Sequence, residues 1–251
     1  MPIRSETASD STGSESPEFN VSFSWAIAFV ALLFVHNELH EIAHTAVGRL
    51  ICGAWGPRNF NSWQLACEKT PEIVFAPIAG LVFSYGLMWI GYYLIQVRSA
   101  PSKKSVGLCL IFAAMPFGRI YTVSRSGGDE MVILRGAFPE MDPLLRLAVG
   151  VTTVLLLVIP PLYRAFSALP QQRRVPIFAG LLLIPYLLFD ILVLRVANPL
   201  LEQGVLAGEG ILGSPLFVNV WTGFWILVLV LSWRHLPTVL KFNNKKDLPS
   251  D

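Results

Sequence analysis

Residues 21–44 have the sequence VSFSWAIAFVALLFVHNELHEIAH, in which an apolar run over 21–35 leads directly into a polar motif. The apolar run predicts a helix that enters a bilayer, because about 20 consecutive apolar residues span its hydrocarbon core. The motif His40-Glu41-Ile42-Ala43-His44 places two histidines four residues apart, on one face of that helix. The stretch therefore predicts a membrane helix with a polar end that can bind a ligand.

Two imidazoles at this spacing can hold one Zn²⁺ through their ring nitrogens. Glu41, next to the first histidine, is placed to take a proton from a zinc-bound water. The short pattern also occurs by chance, and an interfacial polar collar is the alternative explanation. The metal is favoured because ionisable residues at membrane depth are usually functional. In addition, His36, His40 and His44 are three of only four histidines in the chain.

The composition predicts an all-α, multi-pass membrane protein. Of the 251 residues, 53% are hydrophobic and 14% are charged, and the mean hydropathy is +0.56. Soluble domains carry about 25% charged residues. The net charge of +2 gives no support for a nucleic-acid partner, so the bilayer is the expected surroundings. Apolar length predicts about six transmembrane helices, over 21–44 (continuing toward 50), 73–95, 106–123, 144–163, 175–196 and 216–233.

These spans divide the chain into four parts. Residues 1–20 are polar and predict a disordered tail without the features of a signal peptide. Residues 21–135 contain the motif and are interpreted as a metalloprotease membrane core. Residues 136–240 add three transmembrane helices, and 241–251 form a second polar tail. Met115-Pro116-Phe117-Gly118 should interrupt the third span, which is tolerated where protein or a water-filled cavity covers the backbone.

A catalytic zinc usually needs a third protein ligand. His235 lies at the far end of the sixth span and is interpreted as an interfacial cap. The best candidate is Asp129, in Ser126-Gly127-Gly128-Asp129-Glu130 just past the third span. Three crossings bring it to the same side of the membrane as His40 and His44. The alternative is an ordinary polar turn, and Glu130 is the nearest rival ligand.

The motifs together resemble the site-2 protease family of intramembrane zinc metalloproteases. The resemblance covers residues 21–134, about half the chain, and rests on His40-Glu41-Ile42-Ala43-His44, Ala76-Pro77-Ile78-Ala79-Gly80, Ala114-Met115-Pro116-Phe117 and the later Gly128-Asp129. It implies a three-helix catalytic core in which His40, His44 and Asp129 bind Zn²⁺ and Glu41 is the general base. It also implies hydrolysis of peptide bonds in membrane-embedded substrates, which must be locally unwound because helical amides are hydrogen-bonded.

The chain departs from the family pattern near its third ligand. The family has an Asn a few residues before its Pro, where this chain has Ala113-Ala114. The interval from Pro116 to Asp129 is longer than in the family, and Gly128-Asp129-Glu130 stands where the family has Leu-Asp-Gly. Of the three ligands that the resemblance implies, Asp129 is therefore the one whose surrounding sequence matches the family pattern least.

Several other polar and small residues carry predictions. We expect Cys52 and Cys67 to be unpaired loop thiols, although they could pair in an oxidising compartment, and we expect Cys109 to pack in the core. Ala76, Gly80 and Ser84 form a small-residue stripe, interpreted as a helix-packing face. Asp190 is expected to pair with a polar group such as Asn219. His36, one turn deeper on the same face, is a candidate to support the two ligand histidines or to donate to a transition state. Asn37 and Glu38 should line the cavity, and residues 52–72 should form a short hairpin or a re-entrant strand.

Orientation and function each keep alternatives. The Lys/Arg distribution places both termini in the cytoplasm and the site on the opposite side, whereas the resemblance places the site on the cytoplasmic side.

The leading function is an intramembrane zinc protease, in the cell membrane. One alternative is a membrane zincin with Glu130, Glu140 or Glu202 as third ligand. The other is a non-catalytic protein that handles ions or protons through Asp190 and the histidines. A diiron enzyme would need more than four histidines. Residues 208–213 spell GxGxxG but lack the βαβ setting of a nucleotide site.

Overall fold

Helices make up almost all of the structure, a computed structural model that describes residues 17–68, 71–96 and 98–242. The predicted tails lie mostly outside these ranges. The all-α class is confirmed, since six helices are long and apolar enough to cross a membrane. The helices are α1 (Phe23–Cys52), α2 (Phe75–Leu94), α3 (Pro101–Ala113), α4 (Pro116–Ser124), α5 (Asp129–Ala137), α6 (Pro143–Ala168), α7 (Arg174–Phe189), α8 (Asn198–Glu202) and α9 (Leu216–Ser232).

Helix α1 carries the motif and is longer than a bilayer core. It starts at Ser22, whose side chain accepts a hydrogen bond from the backbone N–H of Trp25, and it ends at Gly53 in the left-handed conformation. Its 30 residues correspond to about 45 Å. His40 lies about 25 Å from the start of the helix, so the motif sits near one membrane boundary and Cys52 beyond it.

The third and fifth crossings are both irregular. Helix α3 stops at Ala113, Met115 has φ 48°, and α4 starts at Pro116, as the sequence predicted. Helix α7, with Pro185 inside it, continues as a π-helix over Asp190–Ala197. Asp190 accepts a hydrogen bond from Nε of Arg195 at 2.7 Å, so the expected pairing with a polar group is confirmed, but Asn219, the partner suggested, is wrong. The side chain of Asn219 instead caps the backbone of Ile211.

The two ends of the described chain meet on one side of the helices. Strand β1 (Pro17–Phe19) pairs antiparallel with strand β2 (Leu240–Phe242). The end of α1, the start of α2 and helix α5 lie at the opposite ends of the crossings. The segments 53–68, 125–142 and 203–215 therefore share the side that carries the motif, which we call the site side.

Residues 53–68 form a small hairpin on the site side, which we call the site loop. An isolated antiparallel bridge joins Arg58 and Trp63. Cys52 and Cys67 form a disulfide, so the prediction of two unpaired thiols is wrong. Cys52 and Cys67 are 15 positions apart in sequence. The hairpin brings them together, and their spacing in the sequence alone could not show this. Cys109 is free and fully buried, as expected.

Buried polar contacts tie the site loop to the helices. The guanidinium of Arg58 lies 3.0 Å from Oε2 of Glu38, and both side chains are almost completely buried. The hydroxyl of Thr222, on α9, is 2.8 Å from the same oxygen. Asn37 donates to the carbonyl of Phe60 at 3.0 Å. These contacts fix the loop over the motif, because a buried charge is tolerated only with partners.

Candidate metal centre

The two motif histidines are oriented by backbone carbonyls of α2. Nδ1 of His40 lies 2.7 Å from the carbonyl of Gly80, and Nδ1 of His44 lies 2.7 Å from that of Ala76. A carbonyl oxygen can only accept, so each Nδ1 carries the ring proton. A neutral imidazole in that tautomer has a bare Nε2. The α2 carbonyls thus turn both rings into ligands through the same nitrogen, an arrangement typical of metal-bound histidine.

The two bare nitrogens converge with the carboxylate of Asp129. Nε2 of His40 and Nε2 of His44 are 3.0 Å apart. Oδ2 of Asp129 lies 3.1 Å from the first and 3.4 Å from the second. Ligands at about 2.0–2.1 Å from a tetrahedral zinc are separated by about 3.3–3.4 Å. The donor set and its spacing therefore fit a small divalent cation, and they place the predicted ligands together.

Gly80 makes this approach possible. A Cβ at position 80 would lie 2.2 Å from Nε2 and Cε1 of His44 and 2.8 Å from Cε1 of His40. Ser84, one turn further along α2, lies 3.1 Å from Nε2 of His36. Ala76, Gly80 and Ser84 therefore form a helix-packing face, as predicted, and that face also contacts the histidines. The small residues bring α2 close enough for its backbone to orient the histidines.

Asp129 and Glu130 have different partners. Asp129 is the first residue of α5 and follows Gly128, whose φ is 83°. Burial alone would raise the pKa of Asp129, but the Arg119 guanidinium, whose Nη1 donates to its Oδ2, helps to hold that pKa below its usual range. Asp129 is thus a carboxylate. Glu130 instead accepts a hydrogen bond from the Tyr85 hydroxyl at 2.6 Å, away from the three ligands.

Glu41 is buried beside the histidines, with 5% of its surface exposed. Its Oε2 has no hydrogen-bond partner within the described part of the chain. Glu41 lines a cavity of about 590 Å³ together with His40 and Asp129. The remaining walls combine polar and apolar side chains, and they include Asn37, Asn61, Ser62, Trp63, Met115, Arg119, Tyr121, Val132, Tyr186, Phe189 and Leu194. An unpaired carboxylate facing a cavity is available as a base.

Arg119 is a site residue that the sequence interpretation missed. Its Nη1 donates to Oδ2 of Asp129 at 3.1 Å, and its Nη2 lies 3.3 Å from Oγ of Ser84 and 3.1 Å from Nε2 of His40. The signal was present, because Arg119 is a charged residue inside the third apolar span, and intramembrane charges are functional by default. It places a permanent cation in the wall of the cavity.

The remaining predicted residues have mixed outcomes. His36 contacts Ser84 behind the ligands, and Asn37 lines the cavity as expected. Glu38 does not line it, because Arg58 and Thr222 hold its carboxylate. Trp63 of the site loop stacks on His44 with ring centroids 4.8 Å apart. Within residues 17–68, 71–96 and 98–242, His40, His44 and Asp129 are the one group of three with metal-binding geometry, and Glu140, Glu202 and His235 are not part of it.

No protein-family model, curated protein or solved structure matches this chain.

A glycine pair on α2 tests the approach of the helices. Gly80→Ala should lower the bound zinc of detergent-purified protein at least tenfold, because its Cβ would overlap the His44 ring. Gly86→Ala is the matched control, since a Cβ there meets nothing within 4 Å. Elemental mass spectrometry measures zinc per chain, and thermal unfolding checks that both variants fold. Full zinc content in a folded Gly80→Ala variant would contradict the geometry.

Neighbouring carboxylates test the third ligand. The wild type should bind near one zinc per chain, and Asp129→Ala should lose most of it, because the substitution removes the oxygen that faces both histidines. Glu130→Gln should keep that zinc, because its carboxylate faces Tyr85. The readout is again zinc per chain after dialysis against a weak chelator. The reverse pattern would make Glu130 the ligand.

Proposed function

We propose that this protein is an intramembrane zinc metalloprotease of the cell membrane, acting on peptide bonds of membrane-embedded substrates. One observation carries the proposal. Two histidines held as Nε2 ligands and the Asp129 carboxylate converge beside an unpaired Glu41 that faces the same cavity. Ligands without a base would suit storage or structure, whereas ligands with a base facing open volume suit hydrolysis.

His40, His44 and Asp129 would hold the zinc ion, which when bound supplies a Lewis acid and lowers the pKa of water toward neutrality. Glu41 would accept the proton of the attacking water and deliver it to the leaving amine. Its burial, next to apolar walls, strengthens its interaction with that proton, because a carboxylate with few solvating groups is a better acceptor.

Arg119 would donate to the oxyanion that develops on the scissile carbonyl. Its guanidinium has five N–H groups, and Asp129 and Ser84 engage only part of the set. A fixed donor with a full charge is worth most in a buried site, where water does not screen it. Asn37, which also lines the cavity, would contact substrate amides.

The cavity favours an unwound substrate segment. A helix hides its amides in internal hydrogen bonds, and a cavity of about 590 Å³ suits a short extended stretch better than a helix about 10 Å across. Asn61 and Ser62 of the site loop supply polar groups to the cavity wall, and Tyr186, Phe189 and Leu194 supply apolar surface. We expect helix-breaking residues near the cleaved bond.

Replacing the base separates catalysis from binding. Glu41→Gln should reduce hydrolysis of an unfolded protein such as casein by at least about 100-fold, because the amide cannot take a proton. Zinc per chain should remain at the wild-type value, since Glu41 is not a ligand. Glu140→Gln, at an exposed position, is the control and should leave hydrolysis unchanged. Undiminished hydrolysis by a zinc-loaded Glu41→Gln variant would exclude the proposed base.

Replacing the guanidinium tests the oxyanion role. Arg119→Ala should lower kcat by about 10²–10³-fold with a smaller change in KM, because a transition-state interaction is lost. Arg125→Ala, exposed just after α4, is the matched control. Tighter zinc binding with unchanged kcat in Arg119→Ala would show that Arg119 only competes with the metal for Asp129.

A second function is favoured by that same ion pair. The guanidinium of Arg119 already balances the negative charge of Asp129 without a metal ion. Such a pair suits a protein that moves ions or protons and catalyses no reaction. Folded wild-type protein that binds no zinc, even after zinc is added back, would favour this alternative.

A further inference from the structure

The structure separates the two sides of the protein clearly. Strands β1 and β2 pair on the side of the chain ends. The site loop, helix α5 and the segment 203–215 lie on the site side. Arg58 donates its backbone N–H to the carbonyl of Gly213, so two of these segments are in direct contact. The compartment that any one of these segments faces is therefore also the compartment that the metal centre faces.

In the described ranges, more basic residues lie on the side of the chain ends than on the site side. In multi-pass proteins, Lys and Arg near the helix ends mark the cytoplasmic side. The site side carries Arg49, Arg58, Arg125, Arg135 and Arg146, and its segment 203–215 contains no Lys or Arg. The opposite side carries Arg98, Lys103, Lys104, Arg164, Arg173, Arg174, Arg234 and Lys241.

The disulfide gives an independent indication of the same orientation. Cys52 ends α1 and Cys67 ends the site loop, so their bond closes the loop that carries Trp63 over His44. The bond lies about 12 Å beyond His44 along the axis of α1, outside the apolar part of the helix. Disulfides persist in oxidising compartments and are rare where thiols are kept reduced. The site side should therefore face an oxidising compartment.

We propose that the metal centre opens to the oxidising, extracytoplasmic side of the membrane and takes polypeptide segments presented from that side. The orientation rests on the disulfide and the charge distribution, and the substrate statement rests on the proposed function. This orientation is opposite to the one that the family resemblance implies. It confines substrates to membrane-associated polypeptides whose susceptible segment reaches the extracytoplasmic half of the bilayer.

Two single cysteines test the orientation in the otherwise unchanged full chain. Glu140→Cys lies on the site side and Gln171→Cys on the opposite side, and both positions are exposed. Cys109 is buried, and Cys52 and Cys67 are bonded to each other, so the introduced thiol is the reactive one. Intact cells are treated with a membrane-impermeant maleimide, and a second sample is treated after permeabilisation.

Glu140→Cys should be labelled equally in both samples, whereas Gln171→Cys should gain labelling at least tenfold on permeabilisation. The reverse pattern, or equal labelling of both in intact cells, would overturn the proposal. Acid-trapped wild-type protein provides a second readout. Its Cys52 and Cys67 should react with a mass-tagged maleimide only after reduction, and free thiols in the cell would also overturn it.

Labelling does not depend on hydrolysis, so the two proposals can fail separately. Glu41→Gln in combination with Glu140→Cys should be labelled like Glu140→Cys alone. For the substrate statement, right-side-out membrane vesicles should hydrolyse externally added casein, and inside-out vesicles should do so at least tenfold more slowly until detergent is added. Faster hydrolysis by inside-out vesicles would overturn the substrate statement.

Discussion

The hydrogen bonds from two ring nitrogens to the backbone of α2 are the constraint on which the site depends. A backbone carbonyl inside a regular helix is already an acceptor for its own helix, and here the carbonyls of Ala76 and Gly80 also accept from His44 and His40. That double use requires close contact of α1 and α2, which only a residue without a Cβ at position 80 permits. The close packing of α1 on α2 and the tautomers of the His40 and His44 rings therefore depend on the same residue. A larger side chain at position 80 would change both.

Every charge buried on the site side has a fixed partner, apart from Glu41. Arg58 holds Glu38, Tyr85 holds Glu130, and Arg119 holds Asp129. Such pairs add little net stability, because desolvation offsets their attraction. Their effect is on position, because each pair joins two different elements of the site side. Oε1 of Glu38 and Oε2 of Glu41 both lack a hydrogen-bond partner in the described ranges, but Arg58 and Thr222 hold the other oxygen of Glu38, and only Glu41 of the two lines the cavity.

Sequence reasoning reached the helices and the break at Met115, because apolar length and proline chemistry act locally. Counting the membrane crossings also brought Asp129 to the side of His40 and His44, where the structure has it. Sequence reasoning failed for the site loop, where Cys52 meets Cys67 and Arg58 meets Glu38, because no local pattern or crossing count encodes these contacts. The partner of Asp190 was wrong for a different reason. A π-helical turn brought Arg195, a near neighbour in sequence, within reach. Arg119 was overlooked although its position in an apolar span marked it.

The irregular parts of the helices border one cavity. Met115, with its left-handed backbone, lines it from the third crossing. Leu194 of the π-helical segment and Phe189 just before it line it from the fifth. Backbone that leaves the α-helical pattern at membrane depth needs protein or water to satisfy its polar groups, and a cavity bordered by protein and open to water meets that need. Regular helices would pack closely and leave less volume beside Glu41. The breaks in the helices, which cost stability, therefore help to open the space beside Glu41.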